Sequence, residues 1–201
     1  GRLVHQVVAE QLEPALALHP DLVTLYAGGN DLMRPRPDID GLAEVYDEAV
    51  GKLAATGATI VLFTGVDGVA DPVFRKMRGR TAVYNEHVRL IAARHGALVV
   101  DMWAMRVLRD RRMWSDDRIH LGPDGHRTVA TAVLDTLGAP HTLRPADLPP
   151  AAADTPAQRR SENLRWMRTH VVPWIHRRLT GASSGDGVTP KRPTPEPVTP
   201  R

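Results

Sequence analysis

The residues best suited to chemistry in this sequence are Asp117 and His120, which lie three positions apart in the turn-rich segment Ser115–Gly125. In a turn or a short helical coil, residues three apart lie on the same side of the backbone, so Asp117 can accept a hydrogen bond from one ring nitrogen of His120. The other ring nitrogen then remains available as a base. An apolar repeat predicts a helix from His126 onward. The alternative to a catalytic pair is a surface loop whose aspartate only caps that helix.

A second group of polar residues follows an apolar segment much earlier in the chain. The run Asp21–Ala27 is rich in β-forming residues and leads directly into Gly28, Gly29, Asn30 and Asp31. Its nearly continuous apolar pattern predicts a parallel strand that is buried on both faces. Glycines at the carboxyl end of such a strand let the backbone turn sharply and approach a ligand, and Asn30 supplies an amide donor there.

The other predicted elements alternate between helices and strands. Such alternation predicts a parallel sheet with helices on both faces. Pro14 is expected to distort the later turns of the first helix. The segments are helices at Arg2–Leu18, Ile39–Ala55 and Val73–His95, and strands at Thr59–Thr64 and Ala97–Val100.

The segments 28–31 and 117–120 resemble, in this order along the chain, the Gly-x-Asn-Asp and Asp-x-x-His blocks of the SGNH (GDSL-type) hydrolase superfamily. The resemblance extends over Gly1–Gly138. It implies a three-layer α/β/α domain with a flavodoxin-like parallel sheet, and an ester hydrolase of the esterase or lipase type that forms an acyl-enzyme. The implied substrate is a small-molecule, lipid or sugar ester, and no cofactor is implied.

The resemblance also implies a role for each residue of the two blocks. His120 would take the proton of a nucleophilic serine, Asp117 would orient the imidazole, and Asn30 would bind the developing oxyanion. The other implied site residues are the loop residues Gly28, Gly29 and Asp31 and, as an oxyanion donor through its backbone nitrogen, Gly1.

The Gly-Asp-Ser block, which carries the family's nucleophile on the first strand, is not found in these 201 residues. We therefore expect this chain to be the carboxyl-terminal part of a longer protein. The fragment alone is expected to be inactive. Its strands would be the third to fifth of a sheet ordered 2-1-3-4-5, and an unpaired edge would make the chain aggregate when expressed alone. The alternative is a non-catalytic, degenerate hydrolase domain that acts as a binding module.

Composition limits the other classes of function. The chain has no cysteine, which excludes disulfides and zinc–thiolate sites, and no apolar run approaches the length of about 20 residues that a bilayer span needs. We expect a cytoplasmic protein without stable membrane insertion, and no nucleic-acid partner. A minor alternative is a metal site formed by Asp117, His120, Asp124 and His126.

The sequence predicts four regions. These are a hydrolase domain at 1–139, a linker at 140–162, an amphipathic helix at 163–180 and a disordered tail at 181–201. Residues 1–139 contain 16 Lys and Arg and 18 Asp and Glu, whereas residues 140–201 contain 10 and 5. The carboxyl-terminal part is therefore basic. Its helix, kinked at Pro173, is expected to dock onto the domain, and binding to a membrane surface is the alternative. Nucleic-acid binding by the basic tail is the weakest hypothesis.

Overall fold

A computed structural model describes residues 2–150, 155–180, 189 and 194–198 of the chain. The chain divides into two units, 2–153 and 154–201. The first unit contains α1 (Val4–Val7), α2 (Glu13–Ala17), β1 (Leu22–Leu25), α3 (Gly29–Leu32), α4 (Ile39–Ala54), β2 (Thr59–Phe63), α5 (Arg78–His95), β3 (Leu98–Val100) and α6 (Pro123–Leu137). Short 3-10 helices lie at Gly68–Ala70, Phe74–Met77, Arg106–Arg109 and Arg111–Met113.

The three strands form a parallel sheet in the order β1-β2-β3. The register pairs Val23 with Ile60 and Val61 with Leu98. Side chains alternate across β2, so Ile60 and Leu62 enter one apolar cluster and Val61 enters another. Helices α4 and α5 cover the first face and α6 covers the second. This arrangement confirms the predicted α/β fold with a parallel sheet and helices on both faces.

Strand β1 differs from its prediction. It was expected to be buried on both faces, but only Val23 and Leu25 pack against the core beside α4, while Leu22 and Thr24 are exposed. Within the residues described, β1 pairs with β2 alone, and α6 lies over β2 and β3. One face and one edge of β1 are consequently open, and the association expected from that edge stays a prediction.

The amino-terminal helix has a π turn, Val8–Leu12, between α1 and α2. The turn ends two residues before Pro14, which has no N–H to donate to the preceding turn. Pro14 was expected to distort the later turns of this helix, but the irregular turn precedes the proline, and Glu13–Ala17 is regular α-helix. Helix α6 starts at Pro123 rather than His126 because proline is favoured at the first helical position. Gly125 therefore belongs to the helix, where a Cβ would lie 2.2 Å from the carbonyl oxygen of Met113.

The second unit contains α7 (Pro156–Trp166), a π turn (Met167–Val171) and α8 (Val172–Leu179). Its helix begins at Pro156, seven residues before the predicted start. The missed signal is a capping box. The Thr155 side chain accepts a hydrogen bond from the Gln158 N–H, and the Gln158 side chain accepts one from the Thr155 N–H. The tail predicted to be disordered lies largely outside the described residues. In the described part of the chain, every helix is too short or too polar to cross a bilayer.

Candidate active site

Helix α5 contacts the loops that follow all three strands at their carboxyl ends. Two of its side chains support the loop after β1. Arg80 Nη1 donates to the carbonyl oxygens of Leu32 and Arg34 at 2.9 and 3.0 Å. The Tyr84 hydroxyl donates to the carbonyl oxygen of Ala27 at 3.4 Å. These contacts fix the start and the end of the segment that carries Asn30.

The next two loops are held by side chains further along the same helix. Asn85 is completely buried; it accepts a hydrogen bond from the Gly65 N–H at 2.7 Å and donates to the Gly65 carbonyl at 2.9 Å. Arg89 Nη2 donates to both carboxylate oxygens of Asp101 at 3.1 Å. Asp101 also accepts a bond from the Thr64 hydroxyl at 2.9 Å, which joins the ends of β2 and β3. One helix thus sets the relative positions of the loops at this edge.

A buried carboxylate, Asp67, adds a second set of links. Arg78 binds it through Nε at 2.7 Å and Nη2 at 3.1 Å, and Arg109 binds it through Nη2 at 2.8 Å. The hydrogen bonds from Arg78 hold the pKa of Asp67 below its usual range despite burial. The Arg78 guanidinium also lies 5.4 Å from the centre of the Trp103 ring, a cation–π contact.

Asp117 and His120 make the contact expected from their spacing. His120 Nδ1 lies 2.6 Å from Asp117 Oδ2. The other carboxylate oxygen accepts the N–H groups of Ile119 and His120 at 2.9 and 3.0 Å, and the Ser115 hydroxyl at 2.9 Å. The Ser115 N–H donates to the His120 carbonyl, closing the segment into a small loop. Asp117 is therefore the centre of a locally organised turn.

These contacts determine which nitrogen of His120 can act as a base. Partial burial disfavours the Asp117 anion, but the hydrogen bonds from His120, Ile119 and Ser115 outweigh it and hold the pKa of Asp117 well below its usual range. An ionised carboxylate can only accept, so the neutral ring must carry its proton on Nδ1. The lone pair is then on Nε2. The His120 side chain is 77% exposed, so the ring is accessible to a substrate.

Arg118, between these two residues, was not singled out by the sequence analysis. Its φ is +62°, a left-handed conformation that non-glycine residues seldom adopt. Its side chain is largely buried, with Nη1 3.5 Å from Asp71 Oδ2. Asp71 follows β2, and the loop with Asp117 and His120 follows β3. The contact therefore joins this loop to the carboxyl edge of the sheet. No sequence signal indicated it, because the two residues are 47 positions apart.

The Gly28–Asp31 segment turns immediately after β1, as predicted. Gly28 has a φ of +102°, and a Cβ there would lie 2.6 Å from the Tyr84 ring, so both the turn and the packing require glycine. Gly29 begins the short helix α3 and has open space around it. The Asn30 Nδ2 donates to the carbonyl oxygen of Arg2 at 3.0 Å.

Asp31 fastens the amino-terminal helix. Its Oδ2 accepts a hydrogen bond from the Val4 N–H at 3.1 Å, and partial burial raises its pKa. Gly1, predicted as an oxyanion donor, lies outside the described residues. Asn30 and His120 both lie on loops at the carboxyl ends of parallel strands, β1 and β3, with β2 between them. The Arg118–Asp71 contact joins the His120 loop to the loop after β2, and α5 holds the loop that carries Asn30.

Beside Asp31 there is an open cavity of about 330 Å³. Its wall combines apolar, cationic and acidic groups from α1, α3, α4 and the loop after α3. The lining includes Val4, His5, Asp31, Arg34, Arg36 and Leu42.

The described residues also show what Ser115 contacts and whether the alternative metal site forms. Ser115 is engaged with Asp117 and with the His120 carbonyl, at 2.9 Å each, so it organises the loop rather than facing Nε2. The alternative metal site, which would add Asp124 and His126, is not found. In the described ranges, no three His, Asp or Glu side chains form a group able to hold a metal ion. Asp117 is already directed at donors within its own loop.

Comparisons with known proteins agree with this architecture. A family model described as the GDSL-like lipase/acylhydrolase family matches residues 1–128. Among solved structures, LAE5, an alpha/beta hydrolase enzyme from the metagenome of Lake Arreo in Spain, is 28% identical, with 70% of each chain covered and a TM-score of 0.58. A catalytic mutant of Axe2, an acetylxylan esterase from Geobacillus stearothermophilus, is 23% identical, with 69% of each chain covered and a TM-score of 0.59. The acetyl xylan esterase AlAXEase is 21% identical, covering 67% of this chain and 75% of its own, with a TM-score of 0.58. A comparison with curated proteins gives no match.

Proposed function

The chain belongs to the GDSL-like lipase/acylhydrolase family, and on this basis we propose that it hydrolyses carboxylic esters through an acyl-enzyme, with His120 as the general base and Asp117 as the carboxylate that orients it. The observation that carries the proposal is the 2.6 Å contact between His120 Nδ1 and Asp117 Oδ2. This contact leaves Nε2 as the basic nitrogen on an exposed ring.

In the proposed reaction, His120 takes the proton of a serine hydroxyl through Nε2 as that oxygen attacks the ester carbonyl. It then returns the proton to the leaving alcohol. Asp117 keeps Nδ1 protonated and stabilises the imidazolium that forms. Water repeats the two steps on the acyl-enzyme and releases the acid. Ser115 and Arg118 are positioning residues, since they hold the loop in which the pair lies.

We assign the oxyanion to Asn30. Its amide nitrogen carries two hydrogens, and one of them is used by the carbonyl of Arg2. The second is available for the negative charge that develops on the carbonyl oxygen. Losing one such donor lowers the rate by about 10²-fold or more. Gly1 remains a proposed second donor through its backbone nitrogen.

We assign the nucleophile to a serine on a strand that pairs with the open edge of β1. That edge supports the assignment because a parallel strand there would end beside Gly28 and Asn30. The matches leave about three tenths of LAE5 and of Axe2 uncovered. In Axe2, the catalytic mutants replace one serine and one histidine by alanine. Without such a strand, we expect only residual hydrolysis of activated esters.

The test compares hydrolysis of p-nitrophenyl acetate by the chain with hydrolysis by the chain carrying any residues that its gene encodes before Gly1. The extended protein should turn over, and His120→Ala and Asp117→Asn should each lower kcat by about 10³-fold or more. His126→Ala is the matched control, because this exposed histidine lies on α6 outside the loop. Full activity of the His120→Ala protein would show that the base is misassigned. An upstream segment without a Gly-Asp-Ser block would favour the non-catalytic binding module.

A further inference from the structure

The second unit carries a row of exposed apolar side chains that have no role in the proposed ester hydrolysis. Large apolar residues of α7, the π turn and α8 are between 45% and 82% exposed. Trp166 of the same helix is buried, and Val171 and Trp174 are half-buried, so the large apolar residues of this helix differ in exposure. The exposed residues, called the apolar row below, are Leu164, Met167, Val172, Ile175 and Leu179.

The π turn is what aligns this row. Met167 and Val172 are five positions apart, and in an uninterrupted α-helix their side chains would point about 140° apart. Here the Val172 N–H donates to the Met167 carbonyl oxygen, the i to i+5 bond of a π turn. The two side chains therefore lie about one turn above each other. Other neighbours in the row are three or four positions apart, so all five share one side of the helix.

This alignment changes the interpretation of Pro173. From the sequence, Pro173 is expected to kink the helix, and docking onto the domain is favoured over binding to a membrane surface because the kinked apolar stripe is modest. In the structure, the π turn ends two residues before Pro173, and the extra residue restores the row beyond it. Helix α8 therefore continues the exposed apolar face with Val172, Ile175 and Leu179.

The same unit is strongly basic. Residues 155–180 contain six arginines, whereas Glu162 is the sole acidic residue in that stretch of sequence. Arg160 and Arg168 lie four positions before and after Leu164, and therefore on the same side of the helix. Together with Arg165 they line an open groove of about 570 Å³ around Leu164. Cationic groups thus border the apolar row.

We propose that this face binds the surface of an anionic phospholipid bilayer. The apolar row enters the boundary between headgroups and acyl chains, while Arg160, Arg165 and Arg168 pair with headgroup phosphates. Charge complementarity selects an anionic partner, and the exposed apolar side chains select a lipid surface. A nucleic acid would neutralise the arginines but would not bury the five apolar side chains.

The test is flotation of the full chain with vesicles of pure phosphatidylcholine or of phosphatidylcholine and phosphatidylglycerol in equal parts. The chain should float with the anionic vesicles only, and less as salt is raised. Met167→Gln with Val172→Gln should abolish flotation. The matched control is Val83→Gln with Leu90→Gln, which changes two equally exposed apolar residues of α5 and should leave flotation unchanged.

The arginines provide an independent arm. Arg160→Gln with Arg168→Gln should lower the partition coefficient roughly 30-fold, since each basic residue near an anionic surface contributes about a five-fold factor. Circular dichroism reports whether each variant keeps its helix. If the apolar double variant loses its helix, the Leu179→Gln variant replaces it, because Leu179 lies at the helix end. Loss of flotation by the Leu179→Gln protein would then support the proposal.

Two results would overturn the proposal. One is flotation of the folded apolar variants at the wild-type level. The other is arginine-dependent retention on a DNA oligonucleotide without binding to either vesicle, which would assign the face to nucleic acid.

Discussion

Replacing Asn85 by leucine removes the side chain that joins helix α5 to the loop after β2. Asn85 is completely buried and satisfies both the N–H and the carbonyl of Gly65. Leucine has a similar branched shape and is a good helix former, so the helix itself should tolerate it. What is lost is the pair of hydrogen bonds, and the Gly65 backbone is left without these partners.

The cost follows from these two groups. A buried polar group deprived of its partner destabilises a protein by about 1–3 kcal/mol. Gly65 is half-buried, so water compensates in part, and we expect the free energy of unfolding to fall by about 2–4 kcal/mol. For a chain of this size, each kcal/mol lowers Tm by about 2–4 °C, which gives a decrease of about 5–15 °C.

Urea unfolding at pH 7, followed by circular dichroism at 222 nm, measures the difference. The matched control is Thr81→Val on the same helix. The Thr81 hydroxyl donates to the Met77 carbonyl one turn earlier, so its loss should cost less than about 1 kcal/mol. Equal stability of the Asn85→Leu and Thr81→Val proteins would refute the claim that Asn85 anchors the loop.

Asn85→Asp tests the same bonds through pH. A protonated aspartic acid can donate to the Gly65 carbonyl and accept from its N–H, whereas the ionised form cannot donate. Burial should raise the folded pKa of this carboxyl above its unfolded value of about 3.9. The variant should therefore approach wild-type stability below about pH 4 and lose stability as pH rises above that value. A stability difference that is the same at pH 3 and pH 7 would contradict this account.

Two further predictions concern the candidate site. Nitrogen-15 NMR of the neutral His120 ring should show the proton on Nδ1, and Asp117→Asn should shift it towards Nε2 because the amide no longer requires a donor; a wild-type ring protonated on Nε2 would contradict the assigned base. Gly28→Ala should lower the free energy of unfolding in urea by about 1–3 kcal/mol, because its φ is +102° and a Cβ would meet the Tyr84 ring at 2.6 Å. Gly29→Ala, which meets no atom within 4 Å, should leave stability unchanged.

Much of the site could be predicted because its signals are local. Asp117 and His120 are three residues apart, so one turn of backbone suffices to bring the carboxylate to the ring. The glycines that end β1 could be predicted for the same reason, since a left-handed turn at Gly28 is a requirement on one residue. Their proposed roles in catalysis came from the family resemblance rather than from spacing.

The supports of these residues were not predictable in the same way. Arg118 reaches Asp71 across 47 positions, and Asn85 reaches Gly65 across 20. An arginine or asparagine on a helix carries no mark of its distant partner. The partner depends on where the helix packs against the sheet, and apolar periodicity specifies the packed face but not the contacts at its rim.

The sequence by itself determined the alternating helices and strands, the parallel sheet and the Asp117–His120 pair, because hydrophobic periodicity and short-range spacing are properties of neighbouring residues. Only the tertiary structure decided that α5 holds the three loops, that one face of β1 is open within the part of the chain described, and that a π turn aligns the apolar row. Each of these depends on which surfaces meet in space or on how a proline shifts the helical register, and the free energies involved are collective rather than local.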